Sequence, residues 1–156
     1  MGAGMDDKDR QIIRELQRNG RLTNQELAEK VNLSPSPCLR RLRILEQAGV
    51  IQGYAALIDQ KAYGLPITVF VRIRLDRHSK DAVHAFETRV RRIDEILDCF
   101  LMTGDSDYLL RVIVESLEAY ENFVRREIHN IPGVASIDTS FAYGTIKQST
   151  VYPRHG

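Results

Sequence analysis

Residues 23–47, TNQELAEKVNLSPSPCLRRLRILEQ, decide how the first part of the chain folds. Thr23-Asn24-Gln25-Glu26 opens a helix with a capping box: the threonine hydroxyl and the glutamate carboxylate three residues on satisfy, reciprocally, amide donors that have no partner within the helix. That helix is predicted to end near Val31. Asn32 then stands where the chain must swing sharply, a position that calls for a residue tolerant of positive φ. Ser34-Pro35-Ser36-Pro37 starts the next helix, because serine caps well and proline costs little where its missing amide would be unbonded anyway. The punctuation is helix, turn, helix.

Along the second of these helices Leu39, Leu42 and Leu45 recur at helical spacing and are predicted to face inward, leaving Ser36, Arg40, Arg43 and Gln47 on or near the opposite side. A basic trio such as Arg40, Arg41 and Arg43 is, alone, more often a solvated helix face. The cap-and-turn signature before it shifts the reading. In a helix-turn-helix the second helix lies in the major groove with its N-terminal residues toward base edges, and arginine pairs bidentately with guanine. The candidate DNA-contacting set is Thr23, Asn24, Ser34, Ser36, Pro37, Cys38, Arg40, Arg41 and Arg43, with Arg40 the first choice for base readout. Cys38 carries two readings, a small apolar residue packed inside, which cysteine suits well, or a DNA-facing thiol.

Upstream, Asp6 or Asp7 can cap a helix whose Ile12, Ile13 and Leu16 form one apolar stripe, with Gly20 beyond its end. Downstream of Gly49, the β-branched and aromatic residues of Val50–Ile58 suit a wing-like β-extension bent at Gly53. Residues 5–58 therefore read as a winged helix-turn-helix, and residues 59–66, with breakers Gly64 and Pro66, as a linker.

The remainder, residues 67–156, alternates differently. Thr68–Leu75 places Val69, Val71, Ile73 and Leu75 on one strand face. Ser79 caps a helix with Ala82, Val83, Phe86, Val90 and Ile93 inward. Ile96–Met102 and Tyr108–Val114 flank Gly104-Asp105-Ser106-Asp107 as a hairpin. A helix from Leu117 runs through Tyr120, Val124, Ile128 and Ile131 until Pro132-Gly133 stops it, and Ile137, Thr139, Phe141 and Tyr143 alternate along a last strand. The β-α-β-β-α-β order predicts a ferredoxin-like unit with both helices on one sheet face, so the chain as a whole is α+β. The other face, with Phe70, Phe100 and Ile113 among Arg72, Arg74, Asp98 and Arg111, is too apolar to leave in water and predicts sheet-to-sheet dimerisation.

Composition bounds the function. Of 156 residues, 43% are apolar and 28% charged, ordinary for a soluble protein, and no run approaches a membrane span, so a cytoplasmic location is expected. Met1–Gly4 reads as an expression remnant without signal-peptide character. Cys38 and Cys99 are the sole cysteines, and no Cys/His group has metal-ligand spacing, so free, buried thiols and no metal are expected. The net charge of +1 says little, since phosphate neutralisation depends on clustered cations.

With Asn19-Gly20-Arg21-Leu22-Thr23-Asn24, Leu33-Ser34-Pro35-Ser36-Pro37-Cys38-Leu39, Gly53-Tyr54 and Gly104-Asp105-Ser106-Asp107-Tyr108, the chain resembles the leucine-responsive/asparagine-regulator (Lrp/AsnC, feast/famine) family of transcriptional regulators, in its leucine-responsive branch. The resemblance spans nearly everything after Met5. It implies a regulator of double-stranded DNA that takes no cofactor but responds to an amino-acid effector, leucine, methionine or similar, and that assembles with itself as a dimer and further as a tetramer of dimers. The family's Gly-x-x-Asp-Tyr motif maps onto Gly104, Asp107 and Tyr108, and its neighbours Thr103 and Asp105 join them as candidate effector-binding residues. Against this, Gly-Asp-Ser-Asp is also what a plain hairpin turn looks like. Two alternatives stand beside the regulator. One is an architectural DNA-binding protein without effector response. The other is an enzyme resembling sirohaem decarboxylases of the same domain order, against which His78, His84, His129 and His155 form no compact motif.

Overall fold

A computed structural model describes residues 4–154, which form two compact units. The first comprises the chain up to Leu57 together with the closing stretch from Ile146, and the second runs from Ile58 to Thr145. Of the expected expression remnant Met1–Gly4, the first three residues lie outside the described residues, as does His155.

The first unit is built on three helices, α1 (Asp7–Arg18), α2 (Asn24–Lys30) and α3 (Pro35–Gln47). Asp6 caps α1 in a capping box with Asp9, and Thr23 caps α2 with Glu26: the Thr23 Oγ1 accepts from the Glu26 amide at 3.2 Å and the Glu26 carboxylate from the Thr23 amide at 2.8 Å. Asn32 turns the chain at φ 53°, the left-handed conformation expected of it. Ser34 stands at the N-cap of α3 without a side-chain cap bond, and Pro35 fills the first helical position. Ile12, Leu27, Ala28, Val31, Cys38 and Leu45 make the core, with Leu42 packed against it.

The phase of α3 thus differs from the sequence expectation. Cys38, Leu42 and Leu45 face inward, spaced by four and three residues, while Leu39 is only half-buried and lies outside that core. The expected β-extension also differs, because Ile51–Leu57 forms no strand within the chain. It is fixed instead through Tyr54, whose hydroxyl donates to Glu46 at 2.8 Å and whose ring lies where a Cβ on Gly20 would come within 3.5 Å. Burial and Glu46 push the Tyr54 phenol up to about 12. The closing stretch, which sequence reading joined to the second domain, lies on α1: the Arg14 guanidinium donates to the Tyr152 carbonyl at 3.0 Å, and the Tyr152 amide to the Gln17 side chain at 3.2 Å.

After a short helix, α4 (Gln60–Tyr63), ended by Gly64 at φ 99°, the second unit follows the expected order. Its elements are β1 (Ile67–Leu75), α5 (Lys80–Val90), β2 (Ile96–Leu101), β3 (Tyr108–Val114), α6 (Leu117–Phe123) and β4 (Val134–Phe141). The helix expected from Leu117 to Ile131 is shorter, widening into a π-type turn over Val124–Ile128, and Tyr143 falls beyond the last strand. The antiparallel sheet has the order β2-β3-β1-β4. Val69, Val71, Ile73 and Leu75 of β1 and Leu110, Val112 and Val114 of β3 are buried with Phe86, Val90, Phe123 and Ile128 from the helical side, which is the expected core. On the opposite face Phe70 pairs across to Arg111, Arg72 to Leu109 and Phe100 to Leu109, with Phe100 52% exposed. Arg111 bridges to Asp98 there, and Arg72 approaches Asp138 at 3.5 Å.

Candidate nucleic-acid interface and ligand loop

The outward face of α3 follows from the phase of its core. With Cys38, Leu42 and Leu45 inside, Ser36, Arg40, Arg43 and Gln47 share the opposite side and line one shallow groove with Leu39. Arg40 and Arg43 are exposed, and neither pairs with a carboxylate among the described residues. Two cations one turn apart on the outer face of such a helix can neutralise phosphates or reach guanine edges.

Other residues expected to contact DNA are engaged elsewhere. Arg41 turns toward α1, where one guanidinium nitrogen lies 2.7 Å from Asp6 and 2.9 Å from Asp9. Those carboxylates hold the Arg41 pKa above its ordinary value, and the Asp9 amide, then Arg41, hold that of Asp6 below the usual range. Arg41 thus clamps α3 to the capped start of α1. Cys38 is wholly buried, so its thiol faces the core, and desolvation pushes its pKa up. The Asn24 side-chain amide donates to the Pro35 carbonyl at 2.8 Å, joining the starts of α2 and α3. Thr23 spends its hydroxyl on the cap. Ser34 and Ser36 remain exposed at the start of α3, with Pro37 part-buried beside them.

In the second unit the Gly104–Tyr108 loop connects β2 to β3, with Gly104 at φ 100°, a conformation that favours glycine. Thr103, Gly104 and Asp105 are exposed. Asp107 is not free: one carboxylate oxygen accepts from the Leu75 amide at 2.7 Å, the other lies 2.7 Å from the His78 Nε2, and its own amide donates to the Ile73 carbonyl at 2.9 Å. The Leu75 amide first, then His78, lowers the Asp107 pKa. Tyr108 is 3% exposed, its ring centroid 4.5 Å from that of Phe86, and its hydroxyl donates to Glu87 at 3.0 Å. Burial, then Glu87, raises its phenol to about 12.

Sequence reasoning missed His78, separated from Asp107 by 29 residues, and Glu87. No spacing could have announced either. It also missed a groove between α5 and β2 lined by Glu87, Arg91, Cys99, Leu101 and Tyr108, where Glu87 and Arg91 pair at 3.6 Å and where Cys99, expected to be buried, is exposed because it lies on the edge strand β2. No group of three or more metal-ligating side chains and no helix long and apolar enough to cross a membrane occurs among the described residues.

A helix-turn-helix with an open basic face, followed by a ferredoxin-like unit, defines a DNA-binding regulator carrying a separate ligand-binding domain. Two family profiles match in the same order: "Winged helix-turn-helix DNA-binding" over residues 5–52 and "Lrp/AsnC ligand binding domain" over residues 68–152. The leucine-responsive regulatory protein of Escherichia coli strain K12 is 41% identical over 148 residues, covering 95% of this chain and 90% of that protein. A transcriptional regulator from Neisseria meningitidis, solved in complex with L-Met, is 43% identical with a TM-score of 0.92, over 96% of this chain and 97% of that one. An AsnC family transcriptional regulator from Agrobacterium tumefaciens is 40% identical with a TM-score of 0.91, over 96% and 97% of the two chains. The chain belongs to the Lrp/AsnC family of transcriptional regulators.

Proposed function

We propose that this regulator reads a specific DNA sequence through Arg40, supported by phosphate contacts from Arg43 and the Ser34–Pro37 helix start, and that an amino acid of the leucine or methionine type controls its DNA binding or assembly. The observation that carries the DNA half is the division of labour among the arginines of α3: Arg41 is held by Asp6 and Asp9, whereas Arg40 and Arg43 stand open on one face. The effector half is supported by the L-Met bound to the Neisseria regulator. In this reading Thr103, Gly104 and Asp105 offer one wall of the effector site, while Asp107 and Tyr108 hold that wall in place. An amino-acid zwitterion needs acceptors for its ammonium and donors for its carboxylate, and Asp105 and Thr103 supply one of each.

The mixed face of Phe70, Arg72, Phe100, Leu109 and Arg111 supports pairing with a second copy, and further assembly into a tetramer of dimers would complete the effector site from a neighbouring subunit. The protein is a cytoplasmic regulator and not an enzyme. Two measurements test the two halves. Arg40→Ala costs roughly 1–3 kcal/mol on an operator and little on random duplex, measured by fluorescence anisotropy at fixed salt; equal losses on both would make Arg40 a phosphate contact. A thermal-shift screen of the twenty amino acids raises the melting temperature for one apolar class, because a ligand that binds the native state stabilises it by mass action. A flat screen would sink the effector reading.

A further inference from the structure

The phase of α3 leaves one apolar side chain where the DNA-binding reading has no use for it as packing. Leu39 is part-buried, lies outside the core that takes Cys38, Leu42 and Leu45, and lines the outer groove with Ser36, Arg40 and Arg43. It is three residues from Ser36 and four from Arg43, so all three share one face of the helix, and it stands in the N-terminal half, the end directed at base edges. Ile44, 56% exposed, is the other large aliphatic residue of that groove but sits farther toward the C-terminal end. Among the four bases, thymine alone presents a methyl group in the major groove, and an aliphatic side chain is its complement.

We infer that Leu39 is a specificity-determining residue that selects a thymine by contact with its C5-methyl group, beside the base that Arg40 pairs with. This rests on the DNA-binding reading and adds to it an apolar half of the code. The surrounding polar groups make the contact directional: Arg40, Arg43 and Ser36 fix the register through hydrogen bonds and charge, and Leu39 then discriminates at the neighbouring base pair.

The test uses the full-length protein and a duplex enriched by it from a random-sequence pool. Each thymine is replaced singly by deoxyuridine, which removes the methyl and nothing else, and binding is measured by anisotropy at fixed salt. One thymine per half-site is expected to respond with about a fourfold loss of affinity, the worth of burying one methyl-sized group. Leu39→Ala is expected to bind the thymine duplex as weakly as the wild-type protein binds the uracil one, and to bind both alike, whereas Ile44→Ala keeps the difference. If Leu39→Ala does not fold, judged by its melting temperature, Leu39→Gln carries the same expectation, since glutamine is a good helix former at an exposed site. Insensitivity of every thymine, or discrimination that survives loss of Leu39 or disappears with Ile44 instead, would overturn the inference. Failure of the pool to enrich any sequence would strike the specific-readout reading on which it rests.

Discussion

The outer face of α3 and the Gly104–Tyr108 loop are both rich in polar side chains, yet they spend them differently. On α3, Arg40 and Arg43 are exposed and unpaired among the described residues, while Arg41 makes the ion pairs to Asp6 and Asp9 at the start of α1. In the loop, the two side chains that motif reading singled out most strongly are consumed by the fold: Asp107 bonds to the Leu75 amide and meets His78, and Tyr108 bonds to Glu87. A carboxylate beside a turn has backbone donors within reach and satisfies them before any ligand arrives. An arginine on the far side of a helix has none. The outer face of α3 therefore shows its charged groups plainly, whereas the loop shows first the groups that shape it.

That contrast can be broken by experiment. The largest effect is expected at Asp107→Ala, which removes the acceptor of the Leu75 amide and the partner of His78 and should cost roughly 2–3 kcal/mol of stability by denaturant titration. Retention of wild-type stability would return Asp107 to the set of free ligand contacts. The arginines should then separate: Arg41→Ala lowers the melting temperature and leaves DNA specificity intact, while Arg40→Ala does the reverse. If both variants behaved alike, the division of labour on α3 would be wrong. The smallest effect is in the pH dependence. Because the folded Asp107 has a depressed pKa, its contribution is fully present above the unfolded carboxylate value of about 4 and is lost as pH falls through the lower folded value. The stability gap between wild type and Asp107→Ala should hold at pH 5 and narrow toward pH 3.

Much of the architecture was legible because local chemistry and tertiary packing agree. The Thr23–Glu26 box, Asn32 at positive φ and the alternation of Val69, Val71, Ile73 and Leu75 appear where the sequence predicts them. Leu39 was misread because spacings of three and of four are both helical, and leucine outranks cysteine as a core residue on hydrophobicity alone; Cys38 is nevertheless the residue inside. The Val50–Ile58 extension has strand-like composition, but a strand needs a hydrogen-bonded neighbour, and composition does not supply one. Of the effector candidates, sequence could mark the loop but not the partners of Asp107 and Tyr108, since those lie on β1, the segment after it and α5.

The stretch Ile146–Arg154 returns the chain to the unit in which it began. Because it ends on α1, the ferredoxin-like unit is, in order of synthesis, an insertion into the helical one. Synthesis therefore cannot finish the first unit before the second has been made, and α1 waits for its last neighbour until Tyr152 has been added. A cut between Leu57 and Ile58 would divide the polypeptide into two fragments, with the tail's bonds to Arg14 and Gln17 left as a noncovalent clasp between them.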